Sequence, residues 1–379
     1  RTYKSWHAAN ASFALSPVST FLLPYQTGQV VLALQTRSAL SEPTLLEGSV
    51  RVVQTKQGPA LVQGAHRARQ IQFDLGRCTV YLAERSREAR PMIYSSAEQW
   101  QNAPHKRVVL FGMSGLGKTY MSNILRDTGS WFHYSVDYRI GTHYMGDYIT
   151  DSIKRKAMDV PYLRELLLSD SIYLASNITF ENLAPLSTYM GKPGAEANGG
   201  VPFQEYRKRQ EQHRRSEIAA LLDTPEFIGR AEDIYQYDHF ICDCSGSICE
   251  VVDPFDRDDP VLKSLSETAL LVWIKGNAAH TQELVQRFDK APKPMYYHPD
   301  FLVEKWTQYL ADQTLQEHQV NPDSFIRWIY AEALAHRQPR YEAMANWGVT
   351  VDASEVARAK SEEDFSALIG QALAAKAAP

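Results

Sequence analysis

One eight-residue stretch, Gly112-Met-Ser-Gly-Leu-Gly-Lys-Thr119, restricts what this chain can fold into more than any other. It fits the pattern G-x-x-x-x-G-K-[ST], with Gly115 as an additional glycine. A loop of this kind turns tightly and aims its N–H groups inward, where a Cβ would clash. It also needs a buried strand before it and a helix after it. Lys106–Gly112 is a short apolar run suited to a buried parallel strand, and Thr119–Arg126 continues as a helix. Strand, glycine loop and helix together predict a three-layer α/β/α phosphate-loop fold with a mainly parallel sheet.

The same residues imply a ligand. Gly112, Met113, Ser114, Gly115, Leu116, Gly117, Lys118 and Thr119 form a nucleotide cradle. Lys118 offers its charge to the β- and γ-phosphates. Thr119 offers a hydroxyl to magnesium, and the following helix adds its positive N-terminal end. No guanine-specifying N/T-K-x-D stretch occurs, so the expected cofactors are ATP and Mg2+.

Further strands are expected at Trp131–Tyr138, Tyr237–Ser245, Thr268–Lys275 and Gly348–Val351. Helices are expected at Met145–Met158, Pro161–Leu168, Phe203–Leu222, Ala279–Phe288, Pro299–Ala311 and Pro322–His336, with an Ala-rich one from about Ser354. Residues 145–236 read as a helical insertion. The charged run Glu205–Glu217 within it reads as a solvated helix face.

Two carboxylates stand at the carboxyl ends of expected strands, where α/β sheets gather their ligands. Asp243, after the apolar HFIC run, is the candidate to hold magnesium with Thr119. Asp137, after HYSV, is the candidate to orient or deprotonate an acceptor hydroxyl, and Arg139 beside it could clamp an acceptor anion.

Residues 1–91 differ in character. They carry 11 Lys/Arg against five Asp/Glu, a charge of +6, which leaves −10 of the total −4 on the remainder. Short strand-like runs at Gln29–Leu34, Ser49–Gln54, Gln70–Leu75 and Cys78–Leu82 predict a small β-rich domain. The absence of methionine before Met92 leaves open that this is an extension outside the native protein. Its scattered charges lack interleaved aromatics, and the acidic body disfavours nucleic acid. No apolar run approaches the roughly 20 residues of a membrane helix, and Phe13–Leu23 does not read as a signal peptide. Cys78, Cys242, Cys244 and Cys249 lack paired metal-ligand spacing and read as reduced, buried thiols of a cytoplasmic protein.

From about residue 106 to 353 the chain resembles the nucleoside-monophosphate-kinase-like branch of phosphate-loop kinases, above all shikimate and gluconate kinases. The loop GMSGLGKT with Asp137 carries this likeness. So do Arg337-Gln-Pro-Arg-Tyr341, similar to the family's arginine-x-proline-x-tyrosine stretch, and the basic Gln286-Arg-Phe-Asp-Lys290, placed like the family's lid. The resemblance implies that Arg337 packs on the adenine and that Arg287 reaches the transferred phosphate. It fails in the acceptor half: Asp243-Cys-Ser-Gly-Ser247 stands where shikimate kinases carry a glycine triplet, and the insertion is long. The loop is also similar to that of bacterial phosphate-loop ATPases. Two functions follow as expectations: a kinase acting on a small-molecule hydroxyl through Lys118, Asp137 and Arg287, or an ATPase switch meeting a protein partner through the insertion.

Overall fold

The computed structural model describes residues 92–377 throughout and, before them, the backbone of six strands. The chain divides into two compact units, Arg1–Ala89 and Arg90–Pro379. In the first unit, β1 (Val18–Pro24), β2 (Val30–Thr36) and β3 (Thr44–Glu47) form an antiparallel sheet in that order. A second antiparallel sheet contains β4 (Val50–Val52), β5 (Ala68–Gln72) and β6 (Thr79–Ala83), with β6 central. The expected runs at 29–34, 49–54, 70–75 and 78–82 overlap β2, β4, β5 and β6.

The second unit is built on one five-stranded, wholly parallel sheet. Its strands are β7 (Arg107–Phe111), β8 (Trp131–Ser135), β9 (His239–Asp243), β10 (Leu270–Lys275) and β11 (Val349–Asp352), in the order β11-β10-β7-β9-β8. Helix α1 (Ala97–Asn102) precedes β7 and α2 (Lys118–Asp127) follows it. Between β8 and β9 lie α3 (Val136–Arg139), a π-helical turn (Ile140–Tyr144), α4 (Gly146–Ala157), α5 (Pro161–Leu168), α6 (Ala184–Met190), α7 (Phe203–Leu222) and α8 (Thr224–Asp233). Then come α9 (Ile248–Val251) and α10 (Pro260–Thr268) before β10. Helices α11 (Ala278–Lys290), α12 (Pro299–Gln313) and α13 (Pro322–Ala345) precede β11, and α14 (Ala353–Arg358) and α15 (Glu362–Ala377) follow it. Among the described residues no helix is long and apolar enough to cross a membrane.

Strand alternation decides which layer covers which face. Phe132 and Phe240 stack together, and Phe132 also meets Phe227 of α8. Phe111 and Trp273, on that same face by register, stack on Tyr341 of α13. The alternate residue Trp131 meets Phe365 of α15, so α15, with α1 and α2 against it, covers the opposite face. Covered on both sides, the central strands are apolar throughout: Val108, Val109, Leu110 and Phe111 have no exposed surface. Each such side chain contributes roughly 1.5–3 kcal/mol by burial, which fixes β7 as the inner strand.

Strand β8 stops three residues before the expected Tyr138. The hydroxyl of Ser135 accepts the N–H of Tyr138 at 3.3 Å and caps α3, so Asp137 lies in a helical first turn and not on a strand end. Helix α13 continues nine residues past the expected His336, through Pro339. The expected C-terminal helix is two helices, α14 and α15.

Candidate functional site

The carboxyl ends of the inner strands converge. Leu110 pairs with Asp243 across β7 and β9, and Ser135 pairs with the same Asp243 across β9 and β8. The phosphate loop leaves β7 at this edge and enters α2. Gly115 has φ +88°, in the left-handed region that favours glycine. A Cβ there would also collide with Nη2 of Arg287, so this arginine of α11 lies directly against the loop.

Lys118 is buried, and its Nζ donates to the carbonyls of Gly112 at 2.9 Å and Met113 at 3.2 Å. Burial lowers its pKa, while the negative charges of Asp243 and Asp137 oppose that shift. Thr119 Oγ1 donates to Asp243 Oδ2 at 2.7 Å, joining the first turn of α2 to the end of β9. Burial raises the Asp243 carboxyl, with Lys118 and the Thr119 hydroxyl acting against the rise. His133 Nε2 lies 3.9 Å from the same carboxylate oxygen, yet burial brings its pKa down to about 4 and leaves it neutral.

A hydroxyl and a carboxylate side by side, next to a phosphate loop, form a hard-oxygen pair of the kind that holds Mg2+. Mg2+ takes few protein ligands and completes its shell with waters and phosphates, so two oxygens suffice. The residues present fit the ion.

Beyond the loop opens a cleft of about 210 Å³, walled on its polar side by Ser114, Asp137, Ser245, Gly246, Ser247 and Arg337. A Cβ on Gly246 would collide with the Ser114 hydroxyl, so the chain after β9 touches the phosphate loop where only glycine fits. Burial pushes the Asp137 carboxyl up to about 6, Asp243 adds to the rise, and Lys118 resists it. A second groove of about 470 Å³ runs along Met113–Gly115 and Arg287 to Tyr330. It shares Ser114, Pro294, Met295 and Arg337 with the cleft.

Two expected arginines do something else. Arg337 does not lie on an open surface that could receive a base. It is 4% exposed, and its guanidinium donates to Glu250 Oε1 at 2.9 Å, Gly246 O at 3.0 Å and Tyr296 O at 2.6 Å. The physical reason is Glu250, a fully buried carboxylate from α9 that requires a cation. Burial raises Glu250, but hydrogen bonding to His336 and the charge of Arg337 outweigh it and bring its pKa to about 2. Arg139 turns away from the cleft. Its Nε donates to Asp223 at 2.8 Å, and its guanidinium rests on the rings of Tyr144 and Phe227, so the expected anion clamp is a structural ion pair.

Sequence reasoning missed the most buried polar group near the cleft. Glu217 of α7 has no exposed surface and accepts from the hydroxyls of Ser245 and, at 2.7 Å, Ser247. Burial pushes it up to about 7; the two serine bonds oppose the rise and Asp137 adds to it. His213, one turn earlier, stacks on Tyr296 with ring centres 5.2 Å apart. The run expected to be a solvated face thus buries Tyr206, Gln210, His213 and Glu217, with Ala220 continuing the same face. Their spacing of four and three residues was the available signal, and the surrounding charges masked it.

The strand order, the loop between β7 and α2 and the Thr119–Asp243 pair define an α/β fold with a phosphate-loop motif at the carboxyl edge of a parallel sheet. Neither a protein-family model nor a curated protein sequence matches the chain. Among solved structures it is similar to shikimate kinase from Bacteroides thetaiotaomicron, with 14% identity and a TM-score of 0.29 over 70% of this chain and 95% of that one.

Proposed function

We propose that this protein is a magnesium-dependent phosphotransferase that passes the γ-phosphoryl group of ATP to a hydroxyl of a small molecule. The observation that carries the reading is Asp137, a carboxyl lifted to about 6, lining the same cleft as Ser114 of the phosphate loop. ATP would lie along Gly112–Thr119. Lys118 and Arg287, both against the loop, would neutralise charge on the migrating group. Magnesium, held by Thr119 and Asp243, would supply charge neutralisation at the phosphate oxygens. The acceptor oxygen forms a bond to the γ-phosphorus as the bond to the β–γ bridging oxygen breaks, and Asp137 takes the hydroxyl proton.

The test compares wild type, Lys118→Ala and Asp137→Asn in a metabolite pool with ATP. Wild type should yield a new phosphorylated metabolite. Asp137→Asn should lose transfer by about 100-fold or more while binding ATP normally, and Lys118→Ala should lose both. Wild-type transfer by Asp137→Asn would remove this carboxyl from the mechanism.

One observation favours a second reading, an ATPase acting on a protein partner. Helix α5 buries none of its residues, with Tyr162 70% and Leu168 71% exposed and Tyr173 beyond it 88% exposed. ADP and free phosphate, with no phosphorylated metabolite, would be its signature.

A further inference from the structure

Ser245 and Ser247 line the cleft, and each hydroxyl has a single hydrogen. Above about pH 7, where Glu217 is ionised and can only accept, both serines spend that hydrogen on it, and their oxygens, 3.1 Å apart, are left with lone pairs. Asp137 on the same wall is likewise an acceptor. The only cation among the lining residues, Arg337, is neutralised by Glu250 and gives one further N–H each to the carbonyls of Gly246 and Tyr296. Lys118 and Arg287 belong to the phosphate loop, and Lys293 lines the neighbouring grooves but not this cleft.

Two further groups of the cleft wall are buried without a hydrogen-bond partner, Tyr296 Oη and His213 Nδ1. The nearest carboxylate oxygen to that nitrogen, Glu217 Oε2, is 3.5 Å away and makes no aligned hydrogen bond. An orphaned buried polar group costs about 1–3 kcal/mol. Once either atom is uncovered, a ligand hydroxyl can relieve it, since it accepts from one neighbour and donates to another. A carboxylate or phosphate would instead set its lone pairs against Asp137 and the serine oxygens, while the one cation of the lining, Arg337, is already neutralised by Glu250. Leu183, Leu186 and Met190 give the facing wall an apolar surface.

Building on the phosphotransferase reading, we propose that this cleft takes an uncharged or cationic hydroxyl compound, a polyol or amino alcohol, and excludes carboxylates and phosphates. Glu217 is then a positioning residue: it never touches the acceptor but sets which way two serine hydroxyls point.

The test splits a small-molecule extract on an anion exchanger and offers each half to the full chain with magnesium and ATP labelled at the γ-phosphate. Label should appear on compounds from the unretained half, neutral and cationic, and vanish with Lys118→Ala. Label moving only onto the retained, anionic half overturns the proposal and leaves phosphotransfer standing. Transfer to neither half, with ATP still bound, defeats the phosphotransferase reading and this inference with it. For an acceptor so found, Ser247→Ala should raise its KM about tenfold with the KM for ATP unchanged. The isosteric Glu217→Gln can donate to one serine and so turn a hydrogen into the cleft. It should raise acceptor KM and admit hydroxy acids such as gluconate, whereas equal rises in both KM values would mean a merely structural role.

Discussion

Glu217 and Gly246 show how much of this site rests on single atoms. Glu217 would ionise near 4.5 in the unfolded chain and near 7 when folded. A group raised in this way contributes stability fully present below the unfolded value and lost as pH rises through the folded one. Between roughly pH 5 and pH 8 wild type should therefore lose about 3 kcal/mol that Glu217→Gln retains. Urea unfolding across that range measures the difference, and parallel pH curves for the two proteins would refute it. The depressed histidines His133 and His213 act in the opposite sense, destabilising the fold as pH falls from about 6.5 through about 4. At Gly246 a methyl group would strike the Ser114 hydroxyl and lie 3.1 Å from its backbone nitrogen. Gly246→Ala should weaken ATP binding about tenfold by displacing the loop, at a cost of about 1–3 kcal/mol in stability. Nucleotide titration beside thermal unfolding would separate the two effects; unchanged affinity would show that the loop yields freely.

At the level of elements, legibility followed the strength of the period. The limits of α7 at Phe203 and Leu222 could be read directly, because charged residues with long stems favour helix wherever they point. Its buried face could not, since Gln210, His213 and Glu217 are polar and only their tertiary partners reveal them as interior. The strand–loop–helix unit around Gly112 was legible because backbone conformation itself demands those residues. Arg139 and Arg337 were misassigned because their partners, Asp223 and Glu250, lie 84 and 87 residues away in sequence. Helix α13 shows the same tension. The helix was expected to stop at His336, before Pro339, but it continues, with Arg340 donating to Cys249 O at 2.5 Å and Val252 O at 2.8 Å, and Tyr341 to Gly246 O at 2.7 Å. Proline inside a helix is about 3 kcal/mol less favourable than alanine. Pro339→Ala should accordingly raise unfolding stability by about 1–3 kcal/mol, and a loss of stability would show that the local bend is required.

For the whole molecule, the second unit has its own continuous core, from Tyr94 to Leu373. Residues 92–379 are therefore expected to fold cooperatively and bind ATP without the preceding 91. Calorimetry of that fragment against the full chain checks this; a broad, non-cooperative transition would place part of the core's stability in the first unit. The net charge of −10 on residues 92–379 acts in the same direction as the cleft, lowering the local concentration of anionic acceptors before any contact is made.

The segment Pro294–Tyr296 borders the cleft, and Pro294, Met295 and Arg337 line both it and the groove along the phosphate loop. Three side chains fix this segment: Gln210 donates to Met295 O at 2.9 Å and accepts from Tyr297 N at 2.9 Å, Tyr206 donates to Met295 O at 3.1 Å and Arg337 to Tyr296 O at 2.6 Å. On the phosphotransferase reading, the shared wall is where occupancy of one compartment would be felt by the other, and reciprocity requires that any factor by which ATP changes acceptor affinity equal the factor by which acceptor changes ATP affinity. Calorimetric titration in both orders reads that factor, and Gln210→Ala, which loosens the segment, should bring it towards unity.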